Sequence, residues 1–283
     1  MTTSTVSSAR SPARRIPAVR ALEGEGFEVR VPFPTAALDA LDPFLLLHHL
    51  GPVDLAPGEA KGAPDHPHRG FETVTYSIAG EIQHEDSTGA VGFIEPGGVQ
   101  WMTAGAGVVH SEMPSARMQE EGGRLEGVQL WVNLPATDKM TAPRYQDVAP
   151  DAIPETTLSG VRVRLIAGEA FGIRGPAQTR TPIFYAHVAL DPHATVDVPA
   201  PAGHSTMTYA LRGPDEGVLT VFNGDGDHVT LSAGDDAVEL LVLTGEPLRE
   251  PVARYGPFVM NSRDELVQAF EDFRAGRMGA ITR

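Results

Sequence analysis

Asp65-His66-Pro67-His68-Arg69-Gly70-Phe71-Glu72 and Val108-Val109-His110-Ser111-Glu112-Met113-Pro114 are the two stretches on which the reading of this chain turns. Each carries two ligand-type side chains at i, i+2 spacing: His66 with His68, and His110 with Glu112. In an extended strand alternate side chains share a face and stand about 6–7 Å apart. Two such strands brought together aim three imidazoles and a carboxylate at one point. A single His-x-His pair among ten histidines is unremarkable, two turn histidines beside a proline being the bland alternative. The second ligand pair, in a glycine-rich β context, raises a metal site above it.

Outward from the first pair, Val74, Tyr76 and Ile78 occupy one face of a strand, and Thr73, Thr75 and Ser77 the other, before Gly80 ends it. If the pleat is unbroken, Glu72 lies on the apolar, inward face with the parity of His66 and His68, which makes it a second candidate carboxylate. Pro67 and Gly70 are the places where that continuity is open to question. Turns follow at Gly89, Gly92, Gly97-Gly98, Gly105 and Gly107, and Val128, Leu130, Val132 and Leu134 alternate on a further strand. Residues 135–154, with proline and aspartate, read as an interdomain connection. Strands resume at 161–165, 185–190, 207–211, 218–222 and 237–243. Upstream, residues 27–31 form a strand candidate, and Pro43-Phe44-Leu45-Leu46-Leu47 leads into His48 and His49. Neighbours in a strand face opposite ways, so at most one of these two reaches a given site, and structural roles are expected for them.

One helix stands out. Ser262-Arg263-Asp264-Glu265 matches a capping box, Leu266, Phe270 and Phe273 follow at i, i+4, i+7, and Gly276 supplies the stop. Its apolar face is expected to dock on a sheet. Short strands, frequent turns and few helices make this an all-β barrel or sandwich protein. Thr75-Tyr76-Ser77-Ile78-Ala79-Gly80 and Thr208-Tyr209-Ala210-Leu211-Arg212-Gly213, at an offset of 133 residues, hint at an internal duplication. That offset carries positions 66, 68 and 72 onto Pro199, Pro201 and Ser205, so the second half has lost the ligands.

Composition bounds the partners. A length of 283 residues suggests two domains, and 41% hydrophobic residues give an ordinary globular balance. A net charge of -15 disfavours phosphate backbones and anionic lipids, so neither direct nucleic-acid binding nor membrane binding is expected. Residues 1–20 hold Arg10, Arg14, Arg15 and Arg20 with no acid before Glu23, and read as a disordered leader in preference to a nucleic-acid arm. No apolar run follows those arginines, which leaves the cytoplasm as the default compartment. There is no cysteine, which excludes disulfides, thiol catalysis and cysteine-ligated zinc; any metal is held by His and carboxylate. His84, His187, His193 and His228 lack a partner at ligand spacing and read as structural or surface residues, His84 as solvated in a turn-like run.

Together, LDPFLLL (41–47), PDHPHRGFETVTY (64–76), HEDSTG (84–89), QWMTAGAGVVHSEMP (100–114), VQLWVNLP (128–135) and TGEPLREPVARYGPFVMN (244–261) resemble the pirin family. The resemblance spans roughly residues 41–275; the leader, His48-His49 and the loop at 53–62 depart from it. It implies a bicupin, two tandem antiparallel β-barrels of jelly-roll type with a short C-terminal helix. Residues 21–140 would form the N-terminal metal-binding cupin domain, and 141–283 a C-terminal cupin domain without metal ligands. By resemblance the ligands fall on His66, His68, His110 and Glu112, which moves the carboxylate from Glu72 to Glu112 and leaves Glu72 a supporting role. Four ligands leave two positions open on a six-coordinate ion. Fe(II) is the first choice, with Mn, Cu, Ni, Co and Zn admitted by the donor set.

The resemblance further implies a quercetin 2,3-dioxygenase that opens a flavonol ring with oxygen, Glu112 doubling as catalytic proton acceptor. Trp101, Met102 and Met113 are candidates for the wall that receives a flavonol or other small aromatic substrate. The competing implication is a redox-sensitive regulatory protein acting on a protein partner without catalysis. A monomer is expected.

Overall fold

The computed structural model describes residues 7–282. The chain divides into two compact units that are interlaced in sequence. One comprises Val19–Ala152 with Leu248–Arg283, the other Met1–Ala18 with Ile153–Pro247. Both are built almost wholly of antiparallel strands, the all-β bicupin architecture expected from the sequence.

The first unit holds a seven-stranded sheet in the order Arg144–Val148, Val99–Thr103, Phe71–Ala79, Gly123–Asn133, Phe44–Leu55, Phe27–Phe33 and Val19–Glu23. A four-stranded sheet, Ala63–His68, Val108–Pro114, Ile82–Asp86 and Val91–Ile94, stands across from it. Side chains from both sheets line one cavity between them. Phe71–Ala79 is buried on both faces, with Val74 and Tyr76 on one and Thr73, Thr75 and Ser77 on the other. The threonine face is the one that meets the cavity, through Thr75.

Gly70 joins the Ala63–His68 strand to Phe71–Ala79 at φ +87°, and a Cβ there would collide with the Val259 carbonyl oxygen. Only glycine meets both demands. This break in the pleat overturns the expected parity. Glu72 turns away from the cavity and accepts a 2.7 Å hydrogen bond from Thr103 Oγ1.

Residues 135–154 are not a bare connection. Arg144–Val148 forms the edge of the seven-stranded sheet, paired with Val99–Thr103. Lys139 is buried, its Nζ donating to the Gly70 carbonyl at 2.7 Å, Asn133 Oδ1 at 2.7 Å and the Val259 carbonyl at 3.1 Å. The C-terminal helix, Arg263–Arg274, begins with the expected reciprocal capping box between Ser262 and Glu265. It belongs to this same unit. Leu266 and Ala269 pack with Val109, Phe258, Met260 and Met278, whereas Phe273 is 39% exposed. The buried stripe therefore runs through Ala269 instead of Phe273. Val109 alternates with His110, so the helix supports the ligand strand from behind the cavity. Arg69, directly after His68, donates to the Ala106 carbonyl and pairs with helix residue Asp272 at 2.7 Å. Hydrogen bonds from Gln268, Arg69 and Arg277 hold that carboxyl well below the usual carboxylate range.

The second unit has its own seven-stranded sheet: Pro12–Pro17, Val218–Phe222, Ser205–Arg212, Val238–Gly245, Ile183–Leu190, Val161–Ala167 and Glu155–Leu158. Val161, Val163 and Leu165 point into a core with Phe184, Val188 and Val242, while Arg162 stays exposed.

The first strand of that sheet corrects the expectation of a disordered leader. Pro12–Pro17 pairs with Val218–Phe222, and Ile16 is buried. Val19–Glu23 opens the first unit's sheet instead. Arginine-rich composition argues for solvation, yet strand pairing uses backbone groups that composition does not report. Residues 1–6 of the expected leader lie outside the described residues. Among the described residues no helix is long and apolar enough to cross a membrane.

Candidate metal centre

His66 and His68 leave the Ala63–His68 strand on one side, and His110 leaves the neighbouring Val108–Pro114 strand toward them. The register places His110 opposite His66 and Val108 opposite His68. The three imidazoles each offer a ring nitrogen, and these atoms all lie within 4.8 Å of one another. Their outer nitrogens are engaged elsewhere. His66 Nδ1 is 2.7 Å from the Pro64 carbonyl, His68 Nδ1 is 3.4 Å from the Pro257 carbonyl, and His110 Nδ1 is 3.1 Å from His84 Nε2. All three Nε2 atoms are thereby left for a common ligand, and that of His110 is buried with no hydrogen-bond partner among the described residues.

Burial pushes His68 well below the ordinary histidine value, with the neighbouring His66 adding to the effect and the Pro257 carbonyl opposing it. Burial does the same to His110, reinforced by His68, His66 and His84. Neutral imidazoles are the form that a transition metal takes. The donor set and the orphaned His110 nitrogen fit such an ion.

Glu112 lies two residues beyond His110 on the same strand and lines the same cavity, but stands beside the three-imidazole group. The pairing with Ala63–His68 shifts register between His110 and Glu112. Thr75 Oγ1, from the opposite sheet, donates to Glu112 Oε1 at 2.6 Å and fixes the carboxylate's position.

His84 is not solvated. It is 1% exposed, packs its ring 4.8 Å from that of Tyr145, and meets His110 through the 3.1 Å contact above. Burial lowers its pKa, against the pull of Glu112, Asp86 and Asp147. The strand pairing that places His84 opposite Glu112 is what brings it here, and no spacing rule within one strand reveals it.

The adjacent histidines divide as strand geometry requires. His49 is buried with Nε2 3.0 Å from Glu126 Oε1 on the far face, and His48 lines the cavity with Nδ1 2.9 Å from Glu23 Oε1.

The cavity measures about 850 Å³. Its apolar wall is Phe27, Val31, Leu46, Leu50, Ile82 and Trp131. Trp101, Met102 and Met113, expected there, are not part of it. Trp101 and Met102 are buried in the packing around the sheet, Met102 with Ala104 and Val108. Trp131 takes the role, packed 4.3 Å from Phe71 and lying under the Arg254 guanidinium at 5.0 Å. Arg254 is anchored to the Leu45 carbonyl at 2.9 Å, a contact spanning most of the chain.

Two β-barrel units with three convergent imidazoles, two of them lining one cavity, define a bicupin with a candidate metal centre in one unit. The Pirin family pattern matches residues 26–132, and that of the Pirin C-terminal cupin domain matches residues 185–279. The chain belongs to the pirin family. It is 46% identical to a Pseudomonas aeruginosa protein provisionally named a quercetin 2,3-dioxygenase, over 90% of this chain and 93% of that one. Human pirin is 43% identical over 91% of this chain and 90% of its own. The crystal structure of a quercetin 2,3-dioxygenase from Acinetobacter baumannii superposes with a TM-score of 0.91 at 38% identity, covering 97% of this chain and all of that one.

Proposed function

We propose that this chain is a metal-dependent dioxygenase that opens a flavonol ring with oxygen, its metal held by His66, His68, His110 and Glu112, with Fe(II) the preferred ion. The observation that carries the reading is an apolar cavity of about 850 Å³, lined by His66 and His68, beside a group of three imidazoles whose Nε2 atoms meet no hydrogen-bond partner among the described residues. A purely structural metal site is closed by its ligands, whereas this one faces a space sized for a small molecule. The likeness to the Pseudomonas and Acinetobacter proteins supports the same activity.

Bound metal supplies Lewis acidity toward an enolate oxygen and redox access to dioxygen. The chain's own residues do the rest. The three imidazoles hold the ion, their outer nitrogens fixed by Pro64, Pro257 and His84. Glu112 is the acceptor of the flavonol 3-hydroxyl proton in this reading, and it is supported by the Thr75 hydroxyl, whose hydrogen bond holds the carboxylate in place. Trp131, Leu46 and Leu50 offer flat and aliphatic surface to aromatic rings and displace water.

The test is Fe(II)-loaded protein with quercetin in air, followed by flavonol absorbance and oxygen uptake. Coupled loss of both is expected, with Glu112→Gln slowing turnover about a hundredfold, within the usual range for general-base catalysis. Turnover no faster than free iron would overturn the dioxygenase reading.

A further inference from the structure

The cavity floor carries a polar row within an apolar surface. Thr75 is paired with Gln129 and Gln129 with His48, on three adjacent strands, and all three residues line the cavity. The rows on either side are different: Trp131 opposite Leu46, and Gly127 opposite Leu50. The polar row begins at the metal end, where Thr75 holds Glu112. The Thr75 hydroxyl also lies 2.7 Å from the Gln129 side-chain amide. One hydroxyl has one proton. With Thr75 donating to Glu112, the amide turns its NH₂ to Thr75 and its carbonyl oxygen is freed as an acceptor.

His48 closes the row. Its side chain is 7% exposed and Nδ1 is 2.9 Å from Glu23 Oε1, so Nδ1 carries the hydrogen that this carboxylate accepts. Nε2 is the ring's other polar atom, and among the described residues it meets no partner. Two inter-strand steps separate Thr75 from His48, about 10 Å. That span leaves room for the 3-hydroxyl on a flavonol's central ring at the imidazole end, with the hydroxyls of its pendant ring directed toward His48.

We propose that His48, held by Glu23, is a specificity residue that binds a phenolic hydroxyl on the pendant ring of the flavonol. The inference rests on the flavonol reading of the site. A phenol both donates and accepts, so it satisfies Nε2 in either role, while the ring faces lie over Leu46, Leu50 and Trp131. A flavonol with an unsubstituted pendant ring leaves Nε2 buried and unmet, which weakens its binding.

The experiment compares two flavonols, quercetin and the analogue without pendant-ring hydroxyls. Binding is read by quenching of tryptophan fluorescence in the metal-loaded protein, and turnover by oxygen uptake. Wild-type protein is expected to bind quercetin about tenfold more tightly than the analogue, the equivalent of one hydrogen bond. His48→Leu should erase that ratio by weakening quercetin alone. Glu23→Ala, at a half-exposed position that tolerates truncation, should shrink it in the same direction by freeing the ring. An unchanged ratio in both variants, with wild type binding both flavonols, overturns the role of His48 and leaves the flavonol reading standing. Absence of binding of either flavonol to wild type overturns the flavonol reading and this inference with it.

Discussion

The strands Phe71–Ala79 and Ser205–Arg212 share the motif that suggested duplication, yet the spaces beside them are used in opposite ways. Beside the first, Thr75 reaches a carboxylate at a cavity lined by His66 and His68, with His110 converging on them from the neighbouring strand. Beside the second, the Arg10 guanidinium fills the space. It donates to Thr206 Oγ1 at 3.0 Å and to the carbonyls of His204 at 2.8 Å, Ala200 at 3.2 Å, Pro201 at 2.7 Å and Gly226 at 3.1 Å. Pro201 is the residue that the 133-residue offset sets against His68. One barrel thus gathers side-chain donors for a cation from outside, while its counterpart seats a cation of its own chain on backbone oxygens. A fold-level repeat fixes the strands, and a few side chains at one end decide whether the interior is a site or a core.

Three measurements bear on that contrast. The largest effect is expected from His110→Ala, which should abolish stoichiometric metal binding by elemental analysis. Retained metal at full stoichiometry would mean that the two barrels do not differ in the way described. Arg10→Ala should leave metal content unchanged and destabilise the second barrel by about 3 kcal/mol, because several buried acceptors lose a charged donor together. Urea unfolding followed alongside metal content measures both. A variant as stable as wild type would show that the guanidinium is incidental to the second barrel. The smallest effect concerns His84→Phe, which removes the hydrogen-bond partner that orients His110 and should weaken metal affinity about tenfold. Competition with a chelator reads it, and His84→Gln, which keeps a polar atom, should recover part of the loss. Equal affinity in both variants would remove His84 from the support of the site.

His66, His68 and His110 were legible because i, i+2 spacing is a property of one strand and needs no knowledge of its neighbours. Glu72 was not, because its face depends on whether the pleat survives Gly70, and the positive φ there breaks it. His84 and Trp131 enter through cross-strand pairing, and Arg254 through a segment far along the chain. The leader was misread for a related reason. The stretch holding Arg10 and Ile16 reads as solvated by composition, and only the pairing of Pro12–Pro17 with Val218–Phe222 buries Ile16, while long-range carbonyls from Ala200, Pro201, His204 and Gly226 seat Arg10. The helix start at Ser262 was visible because a capping box is local, whereas the stripe it buries was set by Val109 and Phe258 across the unit.

By itself the sequence determined the strand-rich class, the capped helix and the three imidazoles, all consequences of spacing within a few residues. Tertiary structure alone decided that Thr75 holds Glu112, that His84 backs His110, that Trp131 and His48 face the cavity, and that the chain's first strand belongs to the second unit. The physical reason is that strand register and long-range pairing set these contacts, and each depends on free energies shared among segments too distant in sequence for any local pattern to encode.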